Sequence, residues 1–281
     1  MSTSVGAVAE AIDEGVLGER VWFYANYHCN LACTYCLTES APNVARRQLD
    51  ADWMVARANE ARELGFRSLG VTGGEPFMVS TMPDTIARLA DVLPTVVLSN
   101  ATLFHGTRLD HVADAFAGRP IHIQVSLDAP DAADNDAGRG DDNFNDVTNA
   151  IPRLVERDLK IRIATTTVGL DDESLARLCE LHRSWGIPDE DHVVRPIVAR
   201  GRAALSEMGG VVAGAADFAA ELCLTADGAF WSAFGPTVRN GEVDTDLLVT
   251  RQTAPVSVPA AAMLRIARGA PRGDDARLGI R

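Results

Sequence analysis

Six short apolar runs alternate with helix-forming segments between residues 21 and 196, and this alternation restricts the fold more than any other sequence feature. The runs are rich in β-branched and aromatic residues, which favour strands. Strands are predicted at 21–25, 68–71, 95–99, 121–126, 160–167 and 192–196. Helices are predicted at 50–64, 82–93, 108–116, 144–157 and 172–185. The first of these helices has Asp50 as its predicted N-cap and Gly65 as its stop.

The alternation predicts an α/β fold of parallel βαβ units, arranged as a partial barrel or as an open doubly wound sheet. With 281 residues, 47% of them hydrophobic, the chain is long enough to bury a sizeable core. In either architecture the ligand binds at the carboxyl ends of the strands. We therefore expect the functional side chains in the loops that follow the strands.

Three of the five cysteines, Cys29, Cys33 and Cys36, fall in a loop directly after the first predicted strand. Thiolates select iron–sulfur clusters or zinc, and a cubane cluster held by three cysteines leaves one iron without a protein ligand. A structural zinc site needs a fourth ligand, for which His28 is the only nearby candidate. A redox pair of Cys33 and Cys36 leaves Cys29 unexplained. The spacing favours an iron–sulfur cluster, with zinc as the alternative.

The Cys-x3-Cys-x2-Cys loop, with the aromatic Tyr35 before its last cysteine, resembles the signature of the radical S-adenosylmethionine (SAM) enzymes. A second segment agrees, since the strand predicted at 68–71 leads into Gly73, Gly74, Glu75 and Pro76, similar to the GGEP motif of that family. The resemblance implies a partial (β/α)6 TIM-like barrel with a small C-terminal β-hairpin extension, one [4Fe-4S] cluster on the three cysteines, and SAM as cofactor. It also implies that the GGEP segment binds the methionyl amino group, with Glu75 positioning the loop.

A third segment, from Ser126 to Phe144, is similar to the SLDG…R-G…F pattern of the subgroup that has SPASM or twitch extensions. The resemblance implies that Ser126 and Arg139 contact the methionyl carboxylate of SAM, with Asp128 as a further candidate. Ala129 stands where the subgroup usually has glycine.

Two residues on other strands complete the predicted cofactor site. Asn100 ends the third predicted strand, and Arg195 lies in the sixth, which in related enzymes runs beside the adenine. Arg195 and Arg200 are also candidates for holding an anionic substrate group, because guanidinium binds carboxylate and phosphate in a bidentate manner.

The C-terminal part predicts a β-hairpin, because Asp227 and Gly228 form a turn signal between two alternating runs. The hairpin resembles a SPASM or twitch extension, yet Ser232 occupies the usual position of a cysteine and residues 211–220 contain none. We therefore expect a core at 21–205 and a degenerate extension at 206–268 without an auxiliary cluster. Cys223 is then a candidate hydrogen-atom donor to a substrate radical, as a cysteine is in radical epimerases; a buried strand cysteine is the alternative.

The remaining segments give weaker signals. Residues 1–20 form a polar, acidic lead-in, 233–250 are expected to be mostly loop, and 269–281 a mobile tail. A last helix is predicted at 259–267, and Cys179 lies in a helical pattern as an expected core residue.

The formal net charge of -13 argues against nucleic acid as a partner, because phosphate backbones require a basic face. Neither a signal peptide nor a membrane-spanning run is present, and free thiols suit a reducing compartment, so a cytoplasmic protein is expected.

The resemblance further implies a reaction. A reduced cluster cleaves SAM to methionine and a 5′-deoxyadenosyl radical, which removes a hydrogen atom from the substrate. We expect a small polar metabolite or natural-product intermediate as substrate, and an electron donor such as flavodoxin or ferredoxin. The alternative enzyme function is that of a peptide-modifying maturase. The alternative outside the enzymes is a non-catalytic binding protein in which the cysteine loop holds a structural iron–sulfur cluster or zinc ion.

Overall fold

A computed structural model describes residues 2–167, 169–206, 208–239 and 242–269. Its central feature is a row of parallel strands that are neighbours in chain order. These strands are β1 (Arg20–Tyr24), β2 (Ser68–Thr72), β3 (Thr95–Ser99), β4 (Ile121–Ser126), β5 (Lys160–Thr167) and β6 (His192–Pro196). All six predicted strands are confirmed. The row ends at β6 without closing, so the α/β fold is consistent with a partial TIM-like barrel.

The described helices are α1 (Ser2–Asp13), α2 (Ala51–Glu63), α3 (Met82–Ala90), α4 (Gly106–Phe116), α5 (Ala132–Arg139), α6 (Asn143–Val155), α7 (Asp172–Ser184), α8 (Arg202–Leu205) and α9 (Ser257–Gly269). Helix α2 begins as predicted, since the Asp50 carboxylate accepts a hydrogen bond from the backbone N–H of Trp53 at 2.9 Å. Gly65 ends it with a φ of 98°.

Helix α1 occupies the segment that we expected to be a polar lead-in. Its residues Val8, Ala11 and Ile12 are buried in the hydrophobic core, because their spacing puts them on one face of the helix. The prediction was based on the overall polar composition of the segment, in which this narrow apolar face is not evident.

The predicted hairpin is present as β7 (Cys223–Thr225) and β8 (Gly228–Phe230). Its two-residue turn is Ala226 and Asp227, one position earlier than expected, and Gly228 is the first residue of β8. Strand β7 pairs in parallel with β1, so the hairpin extends the main sheet. Strand β11 (Leu248–Thr250) adds to β8, while β9 (Val238–Arg239) and β10 (Glu242–Val243) pair with each other. These three short strands account for seven residues of the segment 233–250, and its other described residues are turns and loop, as predicted.

Helix α9 confirms the last predicted helix, and the predicted tail beyond residue 269 lies outside the described residues. Among the described helices, none combines the length and the apolar character needed to cross a bilayer.

The inner and outer faces of the strands have different roles. In β1, Phe23 points outward and packs edge-on against Trp53 of α2, with ring centroids 6.5 Å apart. Arg20, Trp22 and Tyr24 alternate with it and line a cavity on the inner face. The helices thus cover one side of the sheet, while the other side is available to a ligand.

Candidate active site

The cavity begins at the carboxyl ends of the parallel strands and extends toward their amino-terminal halves. Near its mouth lie two loops, which we call the cysteine loop (residues 29–36) and the glycine loop (residues 73–76). At its inner end lie Arg20, the first residue of β1, and Arg162, the third residue of β5. The predicted site residues that line it are Cys29, Cys33, Tyr35, Cys36, Gly73, Gly74, Asn100, Ser126, Arg139 and Arg195.

The thiols of the cysteine loop have polar contacts that help to fix their positions. The backbone N–H of Leu31 lies 3.4 Å from Cys29 Sγ, and the side-chain amide of Asn100 lies 3.6 Å from the same sulfur. Thr38 Oγ1 lies 3.4 Å from Cys36 Sγ. Hydrogen bonds to ligand sulfurs are among the means by which a protein tunes an iron–sulfur cluster.

The spacing of the three thiols distinguishes a cluster from a single metal ion. Among the described Cys, His, Asp and Glu residues, Cys29, Cys33 and Cys36 do not form a group whose ligand atoms all lie within 4.8 Å of one another. Ligands of one zinc ion would have to be that close, whereas in a cubane each cysteine binds a different iron. The loop therefore fits a [4Fe-4S] cluster better than the zinc alternative.

Burial affects the charge of the same thiols. It raises the pKa of Cys29 to about 12 and that of Cys33 to about 11. Because metal binding requires thiolates, these protons must be displaced when a cluster assembles.

The glycine loop lies directly against the chain that leads into the cysteine loop. A Cβ on Gly74 would be 2.1 Å from the carbonyl oxygen of His28, and one on Gly73 would be 2.5 Å from the Asn26 side chain. The backbone N–H of Gly74 donates to the Asn26 carbonyl at 2.8 Å, and that of Glu75 donates to the His28 carbonyl at 3.1 Å. Glycine is required here because backbone packs on backbone.

Glu75 is 1% exposed and lies behind the cavity wall. Its carboxylate accepts hydrogen bonds from Ser99 Oγ at 2.9 Å and from the backbone N–H groups of Asn100 at 2.8 Å and Phe77 at 3.1 Å. Burial raises its pKa to about 7, against the opposing effect of these hydrogen bonds. Glu75 thus joins the glycine loop to the end of β3. Pro76 is also buried behind the wall, at the start of a short 3-10 helix.

Asp128 and Arg139 form an ion pair, each with a side chain only 6% exposed. Arg139 Nη2 donates to Asp128 Oδ1 at 3.0 Å, and Nε lies 2.8 Å from Oδ2. The Tyr35 hydroxyl and the backbone N–H of Thr166 also donate to this carboxylate. Burial opposes the charge of Arg139, but Asp128 outweighs this effect and raises the pKa of the guanidinium.

The ion pair changes the expected role of Asp128. Its carboxylate is directed to Arg139 and Tyr35 and does not line the cavity, whereas Arg139 and Ser126 do. The guanidinium of Arg139 lies 5.7 Å from the ring centroid of Tyr35. Asp128 therefore positions Arg139 and the cysteine loop, and no local pattern predicts this pairing across eleven residues of chain.

The two arginines near β6 differ in their contacts. Arg195 lines the cavity, and no hydrogen bond or ion pair of its guanidinium occurs within the described part of the chain. Arg200 instead donates to both oxygens of Asp246, at 2.5 and 2.8 Å, and to the Gly235 carbonyl. Because its guanidinium is occupied and lies outside the cavity lining, Arg200 is not supported as a substrate contact.

Cys223 is fully buried in β7, opposite Trp22 of β1, and does not line the cavity. Burial raises the pKa of its thiol well above the ordinary value. Its burial favours the alternative of a core cysteine, and its role as a hydrogen-atom donor stays a prediction.

The lining residues that the sequence analysis missed include Arg20, Trp22, Arg162 and Glu221. One sequence signal could have indicated some of them, namely a charged residue inside a predicted strand. Arg162, for example, lies in an otherwise apolar and threonine-rich run.

Comparison with known proteins decides the family. The profile of the Radical SAM superfamily matches residues 25–184, which include both the cysteine loop and the glycine loop. The chain belongs to the radical SAM superfamily. Members of this superfamily use a [4Fe-4S] cluster and SAM, so the cofactors implied by the sequence are confirmed.

One sequence relative and two solved structures show how far the similarity extends. The radical SAM chain is 28% identical over 177 residues to the GTP 3',8-cyclase of Chlorobaculum tepidum, covering 59% of this chain and 53% of the relative. It thus spans about half the length of the curated relatives that it matches.

The solved structures support the same fold. SuiB of Streptococcus suis, solved with bound S-adenosylmethionine, superposes with a TM-score of 0.57 at 18% identity, covering 67% of this chain and 43% of that chain. The protein anSMEcpe, solved with AdoMet and the Cp18Cys peptide, superposes with a TM-score of 0.62 at 9% identity. This superposition covers 88% of this chain and 82% of that chain. At these identities the structures support the radical SAM fold and leave the substrate undetermined.

Proposed function

We propose that the protein reductively cleaves SAM at one [4Fe-4S] cluster and uses the resulting radical on a small anionic metabolite or natural-product intermediate. The proposed substrate class rests on the charge of the cavity wall. The charged side chains that line the cavity are Arg20, Arg139, Arg162, Arg195 and Glu221. Because the whole chain has a formal net charge of -13, the wall has the opposite sign to the protein around it.

SAM by itself does not account for this positive wall. It has a sulfonium and an amine against a single carboxylate, so its own net charge is positive at neutral pH. We assign Arg139, held by Asp128 beside the cysteine loop, together with Ser126, to the methionyl carboxylate. Of the other arginines, Arg195 has no ion pair within the described residues and is available to an anionic substrate.

Arg195 is the best placed of these arginines. It pairs in register with Thr166, whose backbone N–H is bonded to Asp128, so it lies beside the proposed SAM carboxylate site. Arg162 lies deeper, next to Gln124 in register, and forms a long ion pair with Asp191, whose Oδ1 lies 3.8 Å from Nε. Two guanidinium groups along one wall suit a phosphate or carboxylate, which they bind in a bidentate manner.

In this proposal the protein holds and shields the reactants. The three thiols would hold the cluster, and the backbone of Gly73 and Gly74 and the amide of Asn100 line the part of the cavity that SAM would occupy. When bound, the cluster and SAM supply reductive cleavage of the sulfonium and a 5′-deoxyadenosyl radical that abstracts hydrogen. The apolar wall, including Val96, Leu98 and Val193, keeps water from the reacting carbon.

The wider assignments are part of the same proposal. We assign the catalytic core to residues 21–205 and a cluster-free extension to 206–268, which contains Cys223 as its single cysteine. A flavodoxin or ferredoxin is the proposed electron donor, and the cytoplasm is the proposed location because the cluster ligands must remain free thiols.

The substrate class is tested with GTP and guanosine, which differ only in the triphosphate. GTP is chosen because the curated relatives include proteins named GTP 3',8-cyclase. Dissociation constants are measured on the anaerobically reconstituted, SAM-loaded protein, together with the rate of 5′-deoxyadenosine formation. Arg195→Gln is the test variant, and Arg88→Gln is the matched control because Arg88 is exposed and paired with Asp52 on the surface.

We expect the wild type to bind GTP at least about tenfold more tightly than guanosine, and Arg195→Gln to lose most of that preference, since a charged hydrogen bond contributes about 1.5–3 kcal/mol. Arg88→Gln should retain it. Equal affinities for GTP and guanosine, or an unchanged preference in Arg195→Gln, would contradict the proposed class. Acceleration by an uncharged peptide alone would favour the peptide-modifying alternative.

A further inference from the structure

A second cluster of metal-ligating side chains lies at the amino-terminal end of β6. Cys179 and His182 are three residues apart on α7, and His192 is the first residue of β6. The ligand atoms of these three side chains all lie within 4.8 Å of one another, and they form the only such group within the described residues. Nothing in the proposed radical chemistry uses them.

The hydrogen bonds of both imidazoles leave one ring nitrogen free to act as a ligand. His182 Nδ1 lies 2.9 Å from the Ile187 carbonyl, which can only accept, so Nδ1 carries the proton and Nε2 has a lone pair. His182 is 0% exposed, and its Nε2 has no hydrogen-bond partner in the described chain. A buried nitrogen without a partner calls for an explanation, and a metal ion provides one.

His192 is fixed in the same way by Thr165. The Thr165 hydroxyl donates its single proton to the Leu127 carbonyl at 2.7 Å, so it accepts from His192 Nε2 at 2.8 Å. His192 Nδ1 therefore has the lone pair, which accepts a hydrogen bond from the Cys179 thiol at 3.6 Å; a metal ion bound by both atoms would replace that proton. Histidine ligands in metal sites are usually oriented by such a bond from the other ring nitrogen.

The distances agree with tetrahedral coordination. Zinc–sulfur and zinc–nitrogen bonds of about 2.3 and 2.0–2.1 Å, at the tetrahedral angle, put the two ligand atoms about 3.6 Å apart. This is the observed separation of Cys179 Sγ and His192 Nδ1. A ring nitrogen of His182 lies within 4.8 Å of the ligand atoms of both other residues.

We propose that Cys179, His182 and His192 form a zinc site that joins α7 to β6. One thiolate and two neutral imidazoles are a ligand set that zinc prefers. The fourth ligand is a water molecule, because the Asp189 carboxylate, whose Oδ1 lies 3.9 Å from His182 Nε2, accepts two hydrogen bonds from Arg183. Binding releases the Cys179 proton to solvent and involves no change of oxidation state.

The test separates this site from the cysteine loop. Co²⁺ is titrated into the full-length protein with Cys29, Cys33 and Cys36 all replaced by serine, so that only the proposed site offers a cysteine and two histidines together. We expect uptake of about one Co²⁺ per chain, with visible bands of tetrahedral Co²⁺ and a thiolate charge-transfer band. Adding Zn²⁺ should displace the Co²⁺ and raise the melting temperature.

Cys179→Ser in the same background should abolish the charge-transfer band and weaken binding at least about tenfold. His111→Gln is the matched control, since His111 is exposed on α4 and pairs with Asp84. As a second measurement, reconstituted protein that retains its cluster cysteines should contain about one zinc per chain, lost in Cys179→Ser with its iron unchanged. Failure of both the Co²⁺ titration and the zinc count, or binding that Cys179→Ser leaves unchanged, would refute the site.

Discussion

Replacing Gly74 with alanine should separate the glycine loop from the cysteine loop. The new Cβ would lie 2.1 Å from the His28 carbonyl oxygen and 2.5 Å from the His28 carbonyl carbon, whereas ordinary contacts begin at 3.4 Å. The loop must therefore move by about 1.3 Å, the difference between 3.4 and 2.1 Å. Both atoms belong to the backbone, so no side-chain rotation relieves the contact.

Strain of this kind is worth about 1–3 kcal/mol. Because Gly74 faces the proposed SAM site, we expect the dissociation constant for SAM to rise between about fivefold and 150-fold. Formation of 5′-deoxyadenosine should fall by up to about 100-fold, since a displacement near 1 Å impairs the alignment of reacting groups. Calorimetry on the reconstituted protein and a chromatographic assay of the nucleoside measure the two effects.

Gly214→Ala is the control for the loss of a glycine. No atom lies within 4 Å of its hypothetical Cβ, and its backbone conformation is ordinary, so SAM affinity and turnover should equal those of the wild type. If Gly74→Ala folds and binds and cleaves SAM as the wild type does, the proposed place of the glycine loop in the SAM site is refuted.

Three further predictions concern other parts of the site. Asp128→Asn leaves the buried charge of Arg139 without its partner, so the free energy of unfolding, measured in urea, should fall by about 3–5 kcal/mol; a loss below about 1 kcal/mol would contradict the ion pair. Burial raises the pKa of Glu75 from 4.5 to about 7, so the folded state holds the proton more tightly than the unfolded state does. The free energy of unfolding of the wild type should therefore fall by roughly 3 kcal/mol at most as the pH rises through this interval. Glu75→Gln should lack this loss. Between about pH 5 and 8 the melting temperature of the variant should therefore rise relative to that of the wild type, and parallel pH dependences would refute the assignment. Cys33→Ala should abolish cluster assembly, measured as bound iron and the visible absorption of the cluster, and a full iron complement would exclude Cys33 as a ligand.

Local patterns predicted the elements that local interactions determine. The six parallel strands follow from apolar composition, and α2 follows from its Asp50 cap and Gly65 stop. Helix α5 was missed because its sequence, AADNDAGR, has no apolar stripe. Its position depends on tertiary contacts, since Asn135 accepts from the Asp128 N–H and Asp136 accepts from the Phe144 N–H.

The same division applies to the site. The cysteine and glycine loops are contiguous motifs, so their functional residues could be predicted from the sequence alone. The pairing of Asp128 with Arg139, the inward orientation of Arg162 and the burial of Cys223 depend on how distant strands meet, and no local pattern encodes them. The Cys179, His182 and His192 group was missed for the same reason, because its members become neighbours only when α7 packs beside β6.

The most direct test of the central claim is anaerobic reconstitution with iron and sulfide, followed by reduction in the presence of SAM. Bound iron and 5′-deoxyadenosine are measured on the same sample. A single cluster on Cys29, Cys33 and Cys36 predicts about four irons per chain together with 5′-deoxyadenosine formation. About eight irons would show that a second cluster had been overlooked, and zinc at the cysteine loop without cleavage under any reductant would contradict radical chemistry in this protein.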